Sequence, residues 1–397
     1  MKIAYINSFY APLEVGGAEK SVRFLAEAMV AKGHEASIIT LDRQRNTAEL
    51  NGVRIERLPT ANLYFPADAS TQSGWQKKVW HGIDSYNPMA GRQIGQLLDT
   101  LKPDVVHTNN VAGFSVAAWQ ATHDRRIPIV HTLRDYYLLC PNTAMFKAGQ
   151  PCEARCGQCK VLGIPRAWNS KLVRHVIGNS HFILNKHLEN GLFKNADSSV
   201  IYNAYLSAPP PARTTKPGKT VFGYIGRLAP TKGVGVLIEA ARQACAQSTA
   251  VEVLIAGEGE PDYLRELKQQ AAGLPIHFLG RVKPEDFYTQ IDWTVVPSLW
   301  DEPLARVIFE SFCHGVPVIG TTTGGTPELV KNGHNGILVE PGKANVLAHA
   351  MATAVSRQAD LPALQINCKS QSETFSPNFV SDRYLSAYQG ALKAQTN

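Results

Sequence analysis

Short, nearly continuous apolar runs alternate along this chain with longer stretches in which apolar residues recur every three or four positions. In the first half "KIAYI", "EASIIT", "PDVVHT" and "IPIVHT" are runs of the first kind and predict buried parallel strands. Between the first two lies "AEKSVRFLAEAMVAKG", where Val22, Leu25, Ala26 and Met29 mark one helical face and Gly33 closes it. The pattern stops at a proline-rich break, "SAPPPARTTKPGK". It restarts with "TVFGYIG", "VEVLIAG", "IHFLG", "DWTVVPS" and "VPVIGT", each followed by a helical segment. Strand–helix alternation on both sides of a linker predicts an α/β protein of two Rossmann-like, doubly wound domains. Their expected bounds are 1–205 and 206–374, with a final helix at 375–397 packing back onto the first. Ligands of such sheets collect beyond the carboxyl ends of the strands, so the crevice faced by both domains is the expected site.

Composition narrows the class. Of 397 residues 44% are hydrophobic and 18% charged, which excludes a largely disordered chain. No stretch reaches the roughly 18 apolar residues needed to cross a bilayer, and "MKIAYINSFY" lacks the long apolar core of a signal peptide. A cytoplasmic enzyme is the expectation. The net charge of +7 favours anionic partners: nucleic acid, phosphorylated small molecules or an anionic membrane face.

The strand ends carry the chemistry. After the first strand, "NSFYAPLEVGGAEKS" places Gly16 and Gly17 at a helix start, where backbone can approach a ligand and N–H groups can meet an anion. In the second half "GYIGRLAPTKGV" sets Arg227 and Lys232 after Gly226 at a strand-to-helix turn. Arg can bridge two diphosphate oxygens and Lys supplies a point charge. "LIAGEGEPDYL" approaches a dinucleotide fingerprint, but Asp262 stands at its third glycine position and no acidic ribose partner follows, which disfavours NAD. In "SLWDEPLARVIFESFCHGVPVIGTTTGGTPE", Glu302 as a cap and Pro303 in the first turn would put Glu310 two turns on. That is about 12 Å along the axis, too far for an acid/base pair on one bond but suited to two ends of an extended ligand. Arg306, four residues from each glutamate, is an alternative partner for either. "TTTGGTPE" adds Gly324, Gly325 and Thr326 as further donors. Two helix starts and two cations in one cleft point to a nucleoside diphosphate bearing another group.

"LLCPNTAMFKAGQPCEARCGQCK" gathers Cys140, Cys152, Cys156 and Cys159 in one loop. The spacing suits a structural zinc site that would order the loop; unligated thiols, disulfides or an iron–sulfur cluster are the alternatives. Cys245, Cys313 and Cys368 read as packing residues. "SGWQKKVWHG" and "PRAWNSKLVRH" mix tryptophan with basic residues, a pattern shared by membrane-resting segments and solvated faces.

From "GRLAPTKG" through "DEPLARVIFESFCHGVPVIGTTTGGTPELVKNGHNGILVEPG", and more loosely in "GGAE", "PDVVHTNN", "HTLRD" and "VIYN", the chain resembles the retaining GT-B glycosyltransferases of family 4, also called group 1. The resemblance covers both domains and makes the first the acceptor side and the second the nucleotide-sugar donor side. It implies that Arg227 and Lys232 hold the donor diphosphate, that Glu310 takes the ribose hydroxyls and that Glu302 sits by the donor sugar. Gly325 and Thr326 would lend donors near sugar and phosphates, His131 would stand beside the anomeric carbon, and Gly16 and Gly17 would face the phosphates or acceptor.

Many relatives carry a second histidine where this chain has Arg134, which cannot act as a base at neutral pH and suits an anionic acceptor instead. The implied chemistry is front-face transfer with retention from a UDP- or GDP-type donor. The absence of Asp-x-Asp argues against a catalytic divalent metal. A glycan or polyprenyl-linked acceptor in surface polysaccharide synthesis is implied, at the inner face of the cell membrane, and no nucleic acid. The competing readings are a GT-B epimerase or phosphorylase-like enzyme, an NAD-dependent oxidoreductase and a non-catalytic nucleotide-sugar binder.

Overall fold

The computed structural model describes residues 1–13, 16–205, 214 and 218–396, so most of the proline-rich break lies outside the described residues, as do Glu14 and Val15. The chain divides into two compact units. One holds Met1–Met145, Cys152–Ala204 and the terminal helix Pro377–Thr396; the other holds Phe146–Pro151 and Tyr205–Ser376.

Strands are numbered along the chain. The first unit contains β1 (Lys2–Ile6), β2 (Glu35–Asp42), β3 (Asn46–Leu50), β4 (Val53–Pro59), β5 (Val105–Thr108) and β6 (Ile129–Leu133). A separate two-stranded ribbon, β7 (Phe146–Lys147) with β8 (Gln150–Pro151), precedes β9 (His175–Gly178) and β10 (Asp197–Val200). The eight-stranded sheet runs β10-β9-β6-β5-β1-β2-β4-β3, parallel throughout except for the β3–β4 hairpin. That hairpin is absent from the strands read above. Its turn is Asn51-Gly52, with φ of 52° and 75°, the two left-handed residues that a type I′ turn needs.

All four apolar runs of the first half are strands, and Val22, Leu25, Ala26 and Met29 of helix Gly17–Ala31 are buried against them. Tyr384 and Tyr388 bring the terminal helix into the same core. The Tyr388 hydroxyl lies 2.8 Å from His107 Nδ1, and His107 Nε2 lies 2.7 Å from Thr132 Oγ1. These hydroxyls leave neither nitrogen of a fully buried imidazole without a partner, which is what lets a histidine stay in an apolar interior.

The second unit contains β11 (Thr220–Ile225), β12 (Val251–Ala256), β13 (Ile276–Gly280), β14 (Trp293–Val296), β15 (Val318–Thr321) and β16 (Gly336–Val339). Its six-stranded parallel sheet runs β13-β12-β11-β14-β15-β16, the 3-2-1-4-5-6 order of nucleotide-binding sheets. Five of these strands are the runs read from sequence; the sixth, "GILV", completes the edge. Helices Val234–Gln247 and Ala344–Ser356 cover one face, with Leu237, Ile238, Ala241, Leu347 and Met351 packed on Phe222, Val253 and Ile255. Chain order reverses between β11 and β14, so a ligand crevice is expected beyond their carboxyl ends.

Candidate active site

Beyond β14 the backbone carries Ser298, Asp301 and Glu302, and beyond β11 it carries Arg227 and, after a short turn at Pro230–Lys232, the Lys232 ammonium. These segments meet. Lys232 Nζ lies 2.8 Å from Glu302 Oε2, and Ser298 donates to Glu302 Oε1 at 2.8 Å. The ammonium also stands 5.4 Å from the centre of the Trp300 ring. Both members of the pair are largely sheltered, at 21% and 11% side-chain exposure, so the attraction is less screened than on an open surface.

Glycine supplies the other half of the arrangement. Gly324, in the turn after β15, has φ of 54°, and a Cβ there would lie 2.0 Å from the Glu302 carbonyl oxygen. Only a residue without Cβ lets the two loops close this tightly. Gly324 N–H then donates to Asp301 Oδ1 at 3.1 Å, and Gly325 N–H to Glu302 O at 2.9 Å. Thr326 N–H is taken by Thr323 O. The turn's N–H groups, expected as ligand donors, are therefore engaged by Asp301, Glu302 and Thr323. What remains is the buried Thr326 hydroxyl, which has no hydrogen-bond partner among the described residues.

The helix after Glu302 spans Arg306–Cys313, three residues later than the sequence spacing suggested. Glu302 is a loop residue and does not cap it; Leu304 and Ala305 run between, with Ala305 extended. Glu310 is buried one turn into this helix and pairs with Arg306, while Glu302 pairs with Lys232. Arg306 in turn lies over the Tyr205 ring, 5.7 Å from its centre. Arg227 is exposed, and among the described residues its guanidinium has no ion-pair partner; its carbonyl accepts from Tyr224 Oη at 2.8 Å.

The "GEGEP" segment turns out to serve the same loops. Gly257, at φ 136°, would bring a Cβ to 1.8 Å from Gly226 O, and Leu228 N–H donates to Glu258 O at 2.7 Å. Its glycines let the loop after β12 lie against the loop after β11, a packing reason that owes nothing to a dinucleotide.

In the first unit Gly16 caps helix Gly17–Ala31, and its N–H is taken by Glu19 Oε2 at 2.9 Å in a capping box. Glu19 is itself buried. His131 does not come to the end of β6. It lies within the strand, 3% exposed, stacked on Phe193 at 5.7 Å and edge-on to Trp119 at 5.1 Å. Its Nδ1 is 2.8 Å from Thr108 Oγ1, which also accepts from Trp119 Nε1 at 2.9 Å. Burial, with His187 and Arg134 nearby, pushes its pKa down to about 3, so the ring is neutral at physiological pH.

The position just past β6 belongs to Arg134 and Asp135. Arg134 Nε donates to Asn109 Oδ1 at 3.0 Å, Nη1 donates to Asn203 Oδ1, and Nη2 reaches the Tyr384 hydroxyl at 3.4 Å. Asp135 accepts from Tyr137 N–H at 2.8 Å and from Asn110 Nδ2 at 3.1 Å. Burial first, and the Glu19 charge to a lesser degree, raise its pKa to about 6. Sequence reasoning passed over Asp135, Asn109 and Asn110. The signal for them was position, since "NN" follows β5 and "RD" follows β6 directly, beyond the carboxyl ends of two neighbouring strands.

The four-cysteine expectation is not met. Among the described residues no group of three or more His, Cys, Asp or Glu side chains is arranged to hold a metal ion. Among the described residues Cys140, Cys152, Cys156 and Cys159 form no disulfide, and Cys156 Sγ and Cys159 Sγ lie 3.4 Å apart in hydrogen-bond contact. Burial first, then the neighbouring Cys156 and Cys140, push the Cys159 thiol up to about 12, which keeps it protonated. The segments on either side of the loop are tied together by Arg166 and Asp84, both fully buried at 3.8 Å, with Tyr137 Oη donating to Asp84 Oδ2 at 2.7 Å.

Residues 15–205 fit the model of Glycosyltransferase Family 4, and residues 219–357 that of Glycosyl transferases group 1. An uncharacterized 42.6 kDa protein in the cps region of Klebsiella pneumoniae is 30% identical over 98% of this chain and 100% of its own. Among solved structures, a sucrose-phosphate synthase from Thermosynechococcus elongatus superposes with a TM-score of 0.75 at 20% identity, covering 99% of both chains. The Anabaena protein HepE, in complex with UDP and glucose, does so at 0.70 and 21% identity, covering 98% of this chain and 99% of its own. The two structural likenesses give the GT-B fold, and with the sequence matches across both units they establish that the chain belongs to glycosyltransferase family 4, group 1, whose members take their sugar from a nucleotide donor.

Proposed function

We propose that the chain transfers a hexosyl group, with retention, from a nucleoside-diphosphate sugar of UDP or GDP type to a glycan or lipid-linked acceptor in the synthesis of a cell-surface polysaccharide. The second unit, taken as residues 206–374, is the donor side and the first the acceptor side. The observation that carries this reading is the Lys232–Glu302 pair, clamped by Ser298 and the Gly324–Gly325 turn at the switch point of the second sheet. The cps-region relative supports a capsule-like product, and a neighbour of the same fold holds UDP and glucose.

In this reading Arg227 and Lys232 grip the diphosphate and carry its growing charge, which fixed cations do at no reorganisation cost. Gly226 gives the close turn that presents them. Glu302 orients the sugar, Glu310 takes the ribose hydroxyls, and Gly325 and Thr326 shape the pocket wall. The bond from the anomeric carbon to the phosphate oxygen breaks as a bond to the acceptor oxygen forms on the same face. The acceptor proton passes to the departing phosphate. Arg134 and Asp135, with the Gly16–Gly17 helix start, face the acceptor; His131 sets the β6 end from within the strand.

Calorimetric titration with UDP, GDP and ADP, alongside transfer from the matching sugar nucleotides, tests this. One nucleotide should bind, and Arg227→Ala with Lys232→Ala should weaken it by roughly a hundredfold. A double variant that binds and transfers as the wild type does would overturn the assignment.

A further inference from the structure

Two adjoining helices of the first unit, Gly74–Ser85 and Gly157–Asn169, turn apolar side chains to solvent. Ser85 Oγ donates to Leu162 O at 3.0 Å, and Asp84 meets Arg166 beneath them. On the first helix the exposed residues are Trp75, Val79 and Ile83, spaced four apart; on the second they are Val161, Ile164 and Trp168, spaced three and four. These are the spacings of a single helical face. Trp75 is 65% exposed and Trp168 71%. The opposite faces are buried through Trp80 and Asp84 on one and Cys159, Gly163 and Arg166 on the other, so both helices are amphipathic with the apolar stripe outward.

The charges on this face have one sign. Asp84 is the only carboxylate within the two helices, and it is buried. Lys78 and Lys160 are exposed on the same helices, and Lys171 Nζ lies 4.8 Å from the centre of the Trp168 ring. An exposed apolar patch rimmed by polar residues marks an interaction site. Tryptophan set among lysines on an amphipathic helix suits the headgroup layer, where the ring is half-buried and the ammonium meets anionic lipid. A second copy fits less well, since a two-fold interface would set this all-cationic rim against itself.

We propose that this two-helix face docks the protein on an anionic membrane surface, with Trp75 and Trp168 inserted at headgroup level and Lys78, Lys160 and Lys171 paired to lipid phosphates. The inference does not rest on the donor-site reading, and its test reads no transfer.

The full chain is titrated with phosphatidylcholine vesicles and with vesicles in which a third of the lipid is phosphatidylglycerol. Binding is followed by co-sedimentation and by tryptophan fluorescence. Binding should require the anionic lipid, weaken with added salt and shift tryptophan emission to the blue. Trp75→Ser with Trp168→Ser, and separately Lys78→Glu with Lys160→Glu and Lys171→Glu, should each weaken it by roughly tenfold or more. Unfolding temperatures should stay near wild type, because the replaced side chains are exposed; nucleotide binding, measured in parallel, should not move. Equal binding to both vesicle types, wild-type binding by both variants, or a soluble dimer that the tryptophan variant dissociates without loss of vesicle binding would each overturn the proposal.

Discussion

Lys232 and Glu302 neutralise one another across 2.8 Å, and both are residues that the proposed chemistry needs for a ligand. A diphosphate entering beside Lys232 must therefore compete with a carboxylate already in place. Replacing Glu302 by Gln removes the competing charge but keeps the Ser298 contact. Nucleoside diphosphate affinity should hold or rise in Glu302→Gln, while transfer falls on the order of a hundredfold because the sugar loses its orienting carboxylate. Lys232→Ala should lose both. Calorimetry beside steady-state rates separates the two, and wild-type turnover by Glu302→Gln would sink this role for Glu302.

Gly324 is the backbone counterpart of that pair. Alanine there would have to adopt φ of 54° and would drive its Cβ against the Glu302 carbonyl. The left-handed conformation alone costs about 1–2 kcal/mol, and the clash must also displace the loop that carries Glu302. Gly324→Ala should lower the urea midpoint of the second unit and cut transfer more than its stability loss accounts for. Unchanged activity would mean that the loop shifts without moving the carboxylate.

Much of this was legible in the sequence, for identifiable reasons. Ten of the apolar runs and helices read from periodicity are real because parallel strands are buried on both faces and need unbroken apolar sequence. Arg227, Lys232 and Glu302 stand out in the sequence because strand ends are where such sheets bind, and the structure brings Lys232 and Glu302 to 2.8 Å. The start of the Arg306 helix was misread because Pro303 satisfies φ in an extended loop as well as in a first helical turn. His131 falls inside the run "IPIVHT" read as a strand, but its full burial leaves no mark in that pattern; its partner Thr108 is 23 residues away. The cysteine spacing suits a ligand set among other readings, whereas the pair that ties the loop's flanking segments, Asp84 and Arg166, is 82 positions apart along the chain and invisible to local spacing.

Arg134 separates the two sides of the proposed reaction. Its guanidinium is held by Asn109, Asn203 and the Tyr384 hydroxyl, all within the first unit, and it follows directly on β6. Arg134→Lys keeps a charge but loses the planar fork that engages three acceptors. It should raise the KM for acceptor by roughly tenfold and leave the donor nucleotide's Kd unchanged. A shift in nucleotide Kd with unaltered acceptor KM would move Arg134 to the donor side.

His131 yields the last prediction, through pH. An imidazole in the unfolded chain takes a proton near pH 6.5, whereas the buried one resists it down to about 3. Between those values the unfolded state holds a proton that the folded state lacks, so the contribution of His131 is full above 6.5 and drains as pH falls. At about 1.4 kcal/mol per unit it amounts to a few kcal/mol. Asp84 and Asp135 act the other way: burial raises them from 3.8 to about 7 and about 6, so their neutral forms favour the fold as pH drops. Only a comparison of variants isolates the histidine. His131→Gln can keep the hydrogen bond to Thr108 but not the stacking on Phe193, and it should be the less stable protein at pH 7.5. In urea unfolding from pH 7.5 to 4.5 the gap should close and then reverse, because glutamine does not titrate. Transfer at pH 7.5 should stay within about tenfold of wild type, as expected of a positioning residue. A constant gap across the series, together with a thousandfold fall in kcat, would instead place the ring at the reacting carbon.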